Sequence, residues 1–271
     1  MDAFSLISTW PVEFVSAAVI DRKGTLHTHG DTSRPMRIAS VSKLFTAWAT
    51  MVAVEEGSVA LSDPVGQPGC TVLHLLCHAG GYSFDGVNPI TSPERKRIYS
   101  NTGIEILATH VAERTGMDFP DYLDEAVCQP LGLTATVLEG SPAKDVVSNV
   151  DDCARFAAEL RRPTLLSTAT VREMLRVHFA ELEGVVPGIG RFDPCPWGLG
   201  PEIKGTKSPH WTAPLGSGST WGHFGGTGTF LWIDPVADVA CVMLAERDFT
   251  QWGMEYWPAF NDAVLAEASR R

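Results

Sequence analysis

Strand-forming and helix-forming stretches are segregated along this chain, and their order limits the folds open to it. Val12 to Ile20 reads as a strand, Asp21-Arg-Lys-Gly24 as a tight turn and Thr25 to His29 as the returning strand. Helical periodicity then dominates for some 150 residues. Strands resume near Pro196: Trp197-Gly-Leu-Gly200 reads as a short one, and Trp221 to Gly225, Gly228 to Ile233 and Asp238 to Ala245 as three more, with Asp234-Pro235 turning the second into the third. Pro258 to Ser269 closes as a helix, with Phe260, Ala263, Val264 and Ala268 on one stripe. Strands, helices, strands, helix is an α+β order. It predicts an antiparallel sheet flanked by helices, with an all-helical lobe inserted into it. On that reading the 271 residues form a single domain of two lobes, an α/β lobe of 1–38 and 193–271 and a helical lobe of 39–192.

The helical part has clear punctuation. Val41, Leu44, Phe45, Trp48, Met51 and Val52 fall at helical spacing between Pro35 and Gly57. Thr71 to His78 reads as a short helix capped by Thr71, and Ala79 to Pro93 as a loop. Tyr99-Ser-Asn101 leads into a helix with Ile104, Leu107, Ala108 and Val111 on one face and Gly116 at its end. Further helices are expected at about 119–128, 149–160 and 168–179, the last capped by Ser167.

Composition excludes several functions. The formal net charge is -11 and no basic run exists, so no nucleic-acid partner is expected. The first eleven residues have neither a basic start nor a long apolar core, and no stretch is apolar for long enough to cross a bilayer. The expected address is the cytoplasm, with no membrane partner. The six cysteines show no C-x-x-C spacing and read as free, mostly buried thiols. His27 and His29 share a strand face without a third ligand, and are expected to point outward. His74 and His78 lack the glutamate of a zinc helix and read as structural, so neither a metal nor a cofactor is expected. Gly200-Pro-Glu-Ile-Lys-Gly205-Thr-Lys misplaces the lysine of a phosphate-binding loop by one residue, and no G-x-S-x-G elbow exists.

Chemistry points instead to Ser40-Val-Ser-Lys43, at the start of the first long helix. A serine hydroxyl needs a base to become a nucleophile, and a lysine amine is one when burial or nearby positive charge lowers its pKa. The two residues stand one turn apart on a face distinct from the apolar stripe. Ser-x-x-Lys alone is frequent by chance. Here it is followed, in order, by Tyr99-Ser-Asn101 and by His223-Phe-Gly225 with Gly226 after it.

Together the three stretches resemble the serine β-lactamase and penicillin-binding-protein superfamily, in its branch of class C β-lactamases, DD-peptidases and esterases. Leu75-Leu-Cys-His-Ala-Gly-Gly81, Asp152 to Phe156, Trp197 to Gly200 and Thr229 to Pro235 extend the resemblance over most of the chain. The resemblance implies Ser40 as nucleophile, Lys43 as its base or proton relay, and Tyr99 as a general base whose phenolate nearby cations stabilise. It implies Asn101 bonded to the substrate amide or to Lys43, and His223 beside Tyr99 on the sheet edge. Gly225 would admit the substrate backbone, and the N–H groups of Ser40 and Gly226 would hold the oxyanion. No cofactor is implied. The partner is a small-molecule ester, amide or β-lactam, and Phe84, Trp197 and Trp211 are candidates for the pocket wall. His223 stands where class C β-lactamases usually carry lysine, which implies weak β-lactamase action. The contrasting reading is a catalytically silent ligand-binding protein on the same fold. Oligomeric state is not legible.

Overall fold

The structure is a computed structural model and describes residues 1–268 and 270. Its centre is a six-stranded antiparallel sheet. The strands are β1 (Val15–Asp21), β2 (Gly24–His29), β3 (Glu202–Ile203), β4 (Trp221–Gly225), β5 (Thr229–Asp234) and β6 (Val239–Ala245), in the order β2-β1-β6-β5-β4-β3. The N-terminal and C-terminal strands meet at β1 and β6, from Val15 opposite Ala245 to Ile20 opposite Ala240. That pairing closes the antiparallel sheet around the insert, which is not all-helical as expected: Val146–Ser148 pairs with Met36–Arg37 and Val137–Leu138, and Gly184–Val186 with Arg97–Ile98 and Gly190–Phe192.

Both faces of the sheet are covered, which explains why β6 reads as an unbroken apolar run, Val-Ala-Cys-Val-Met-Leu-Ala, rather than an alternation. Ala240, Val242 and Leu244 join one core, while Val239, Cys241, Met243 and Ala245 join the other. The first core holds helices α1 (Ser42–Glu55), α2 (Val72–Leu76), α3 (Asn101–Thr115), α4 (Phe119–Leu123, running on helically to Leu131), α5 (Val150–Arg161) and α6 (Thr168–Met174). The second holds α7 (Gln251–Ala268) and a 3-10 helix, Asp2–Thr9.

Helix α1 is the hub of the first core. Every residue from Ser42 to Met51 is buried, and Phe45 stacks on Phe156 of α5 with ring centroids 3.9 Å apart. One apolar stripe was expected; enclosure on all sides is found, and it takes Lys43 with it.

Local capping matches the sequence where side chains are short. Ser100 accepts from Gly103 N–H at the start of α3, and Gly116 ends that helix in the left-handed conformation that favours glycine. Ser167 caps α6 in the same way. Tertiary contacts overrode propensity elsewhere. Trp197 to Gly200 is not a strand: only Trp197 bridges to Glu202, and the strand is β3. Helix α6 ends at Met174, short of the expected 179, and α7 begins seven residues before Pro258. Ser269, the expected last residue of that helix, lies outside the described residues. His27 and His29 do not face open water, since Phe4 of the N-terminal 3-10 helix packs on both rings. All six cysteines are free and buried. No helix of the described residues is long and apolar enough to cross a membrane.

Candidate active site

Ser40 sits in a single 3-10 turn, Ala39–Val41, that runs straight into α1. Ala39 holds φ +45°, a left-handed conformation uncommon for a residue with a Cβ, and this bends the chain sharply into the turn. The turn is pinned to the sheet: Thr229 donates to the carbonyl of Ile38 at 2.9 Å and Thr227 to that of Arg37 at 3.0 Å. A Cβ on Gly225 would lie 2.5 Å from the Ile38 carbonyl oxygen and 2.3 Å from Thr229 Oγ1. The space at Gly225 is therefore filled by the turn that carries Ser40, and that close approach alone requires a glycine. Gly226 is open, with nothing within 4 Å of a built Cβ.

Lys43 is fully buried below Ser40. Its Nζ lies 3.3 Å from Ser40 Oγ, 2.6 Å from Asn101 Oδ1 and 2.9 Å from the carbonyl oxygen of Ala143. Burial pushes the amine well below its ordinary pKa, and Lys144 adds repulsion. A neutral amine has two N–H groups and one lone pair. When the amine is neutral, the two oxygens of Asn101 and Ala143 take the N–H groups and the lone pair is left for the Ser40 hydroxyl. The other end of the Asn101 amide is also engaged, with Nδ2 donating to Asp85 Oδ1 at 3.1 Å. Of the two partners expected for Asn101, the structure shows Lys43.

Tyr99 comes to the same place from the opposite side. Its ring covers Lys43, with Nζ 4.6 Å from the centroid, and its hydroxyl lies near enough to Ser40 for that side chain to act on it. Burial raises its pKa above the usual phenol value, and the Ser40 contact only partly offsets this. The sequence suggested a phenolate sustained by neighbouring cations. Burial disfavours the charged form of Lys43 and His223 alike, which weakens the cationic field that such a phenolate would need. Tyr99 is thus a protonated phenol at neutral pH.

His223 lies on β4 beside Tyr99, ring centroids 5.6 Å apart. Its Nδ1 donates to the carbonyl of Phe224 at 2.6 Å. Its Nε2 is buried and unpartnered, and burial with Lys43 nearby holds its pKa down to about 3. A single proton on Nδ1 leaves Nε2 an acceptor only.

These groups border a cavity of about 230 Å³ formed by Ser40, Tyr99, His223 and Gly226 together with Phe84, Val186, Pro187, Trp197, Phe224 and Phe249. Its walls are almost entirely apolar. Trp211 is not among them. It lies behind Phe224, and its indole N–H donates to Glu202 at 2.7 Å. Among the described residues no group of three or more His, Cys, Asp or Glu could hold a metal ion.

A Beta-lactamase family profile matches residues 14–266. The chain belongs to the β-lactamase family. It is 46% identical to a β-lactamase from Mycobacterium bovis over 98% of this chain and 99% of that one, and the two structures superpose with a TM-score of 0.97. It is 22% identical to an Escherichia coli β-lactamase over 78% of this chain and 75% of that protein. The unliganded simvastatin synthase of Aspergillus terreus shares the fold alone, with a TM-score of 0.79 at 16% identity over 99% of this chain and 98% of that one. Members of the family are serine hydrolases, and the α+β architecture read from the sequence is the family fold.

Several neighbours of the site were not legible in the sequence. His78, read as structural, packs against both Tyr99 and Trp197, at 4.8 and 5.1 Å between centroids, and accepts from Ser100 N–H. Val186, at the end of the short strand Gly184–Val186, and Pro187, Gly188, Phe249, Asp85 and the Ala143 carbonyl, from loops, belong to no motif of their own. Behind the wall lies a buried ion pair. Glu202 receives Lys207 at 3.0 Å and His210 at 3.1 Å, and Lys207 also donates to the carbonyl of Pro196 beside Trp197.

Proposed function

We propose that this protein is a serine hydrolase that forms an acyl-enzyme at Ser40 and acts on small uncharged esters or amides. The observation that supports this best is the Lys43 amine, desolvated, held by two carbonyl acceptors and standing 3.3 Å from Ser40 Oγ. In the first half-reaction Lys43 takes the Ser40 proton as Oγ bonds to the substrate carbonyl carbon. The N–H groups of Ser40 and Gly226 hold the resulting oxyanion. The phenol of Tyr99 gives its proton to the departing alcohol or amine, and the proton on Lys43 restores Tyr99. Water then attacks the acyl carbon by the same steps in reverse and releases the acid, leaving Ser40 protonated.

The apolar cavity and the neutral His223 favour substrates without charge near the scissile bond. Penicillins acylate slowly on this reading and β-lactam turnover is poor, as is D-amino-acid peptidase action. A fluorophosphonate probe tests the chemistry: it labels the wild type at Ser40 and leaves Ser40→Ala unlabelled, by intact mass. An unlabelled wild type that also hydrolyses no p-nitrophenyl ester would instead be a silent ligand-binding protein.

A further inference from the structure

Outside the catalytic cavity lies a second one of about 500 Å³, and Phe84, Tyr99 and Pro187 form part of the wall of both. The outer one is of ligand size, and the two share the phenol ring as wall. The outer cavity is a groove between the 83–98 segment and the strand Gly184–Val186. Eight large apolar side chains stand exposed among the described residues, and three of them, Phe84 (47%), Ile90 (64%) and Val185 (54%), line this groove. Such clustering is not the scatter of single exposed apolar residues that a surface ordinarily shows. The charged groups are at the rim: Lys96 and Arg191 both pair with Glu183, and all three are at least partly exposed. Glu183 pairs with both and one positive charge is left at the rim, while the Arg97 guanidinium, also in the lining, is buried and turned to backbone carbonyls of Cys77, His178, Phe179 and Cys195.

We propose that this groove is a subsite for an extended apolar arm of the substrate, an alkyl chain of eight or more carbons whose ester carbonyl lies at Ser40. The assignment rests on the serine-hydrolase reading above. Adjacency argues for a substrate arm rather than an unrelated ligand, because Phe84, Tyr99 and Pro187 wall both the Ser40 cavity and the groove. Rigidity argues likewise. The Phe84 segment is tied down by Asn101 N–H donating to the Phe84 carbonyl at 2.8 Å and by Ser100 Oγ donating to the Ser83 carbonyl at 2.6 Å. The groove wall is therefore built on the same three residues that carry Tyr99 and Asn101.

The experiment uses two ester series with the full-length protein: p-nitrophenyl esters of C2 to C12 acids, and acetates of C2 to C12 alcohols, so that the acyl and alcohol arms are tested separately. The expected result is a rise in kcat/KM of about tenfold or more between C4 and C10 in one series, since each methylene taken from water favours binding. Val185→Asp and Ile90→Asp should each reduce the C10-to-C4 ratio toward one. The ratio within each variant is the readout, so a general loss of folded enzyme does not move it. Calorimetric binding of decyl acetate and of ethyl decanoate to Ser40→Ala, with at least one bound and that binding weakened by Val185→Asp, gives a second readout free of turnover. Flat chain-length profiles in both series, or a rise that both aspartate variants retain, would overturn the subsite while leaving the hydrolase reading intact. Failure of every ester, short ones included, would instead count against the hydrolase reading.

Discussion

Lys43 Nζ stands closer to Asn101 Oδ1, at 2.6 Å, than to Ser40 Oγ, at 3.3 Å. The amide is itself oriented, because Asp85 accepts from its Nδ2. A flipped Asn101 would present N–H to Lys43 and lose both partners. The chain Asp85–Asn101–Lys43–Ser40 thus sets which way the lysine lone pair faces. Replacing Asn101 with Leu should lower kcat about a hundredfold, with a smaller change in KM, because it disturbs the base and not the apolar cavity. Steady-state kinetics on p-nitrophenyl butyrate decide it, and an unchanged kcat would show that Asn101 does not orient the amine.

Ser40→Ala should abolish covalent labelling and lower ester turnover by about three decades or more. Ser40 is partly exposed and at the cavity wall, so its loss should leave the melting temperature close to wild type. Retention of a tenth of wild-type turnover would rule Ser40 out as nucleophile.

Tyr99→Phe keeps the ring that packs on His78, Trp197 and His223 and deletes only the hydroxyl. Folding should survive and most activity should be lost. Burial keeps the phenol protonated well above pH 7, so Tyr99 should add no falling limb to the wild-type pH–rate profile below about pH 10. Lys43 must be neutral to act, so the profile should rise through its lowered pKa and then stay flat. A variant that melts far below wild type would make Tyr99 structural.

The grouping of the candidate residues was legible where chemistry and spacing coincide. Ser40, Lys43 and Tyr99 lie in short motifs at the starts of helices, and the structure brings them within hydrogen-bond or ring contact. The electrostatics were not legible, because charge state follows burial, and nothing local says that Lys43 is enclosed by Asn101 and Ala143 from 58 and 100 residues away. The close approach of Gly225 to Ile38, a residue remote in sequence, was likewise not legible. The strand expected at Trp197 misfired for a similar reason: the aromatic ring is needed in the cavity wall, and its backbone reaches the sheet through a single bridge.

Glu202 and Lys207 form a buried pair with side chains almost without solvent contact. Removing one partner strands the other charge, so Glu202→Gln should cost about 3–5 kcal/mol. For a chain of this size that is a fall in Tm of roughly 10 °C. Lys207, His210 and Trp211 together hold the Glu202 carboxyl far below its ordinary value of 4.5, despite burial. A depressed carboxyl contributes stability that is fully present above its unfolded pKa and is lost as pH falls below it. Wild type should therefore lose stability progressively below about pH 4.5, and Glu202→Gln should lack that part of the loss. Thermal melts from pH 3 to 7 check both, and parallel curves for the two proteins would show that the pair carries no linkage.

The last prediction concerns charge in the cavity. A permanent cation at position 223 would attract an anionic substrate, but His223 has its pKa held near 3 and donates its single proton to the Phe224 carbonyl. Between pH 5.5 and 8.5 it should not titrate, and it offers the cavity only a bare acceptor. A neutral short-chain ester should therefore be the better substrate by kcat/KM, and the ratio of ester to chromogenic cephalosporin should stay constant across that range. His223→Lys should shift the ratio toward the cephalosporin, because an amine at the cavity edge retains its charge more readily than a buried imidazole. The gain should fade at high pH as the new lysine, itself partly buried, deprotonates. Kinetics of both substrates at each pH, in wild type and variant, decide the matter. A wild type that prefers the cephalosporin, or a lysine variant with no gain on it at any pH, would mean that the cavity binds anions by a route other than position 223.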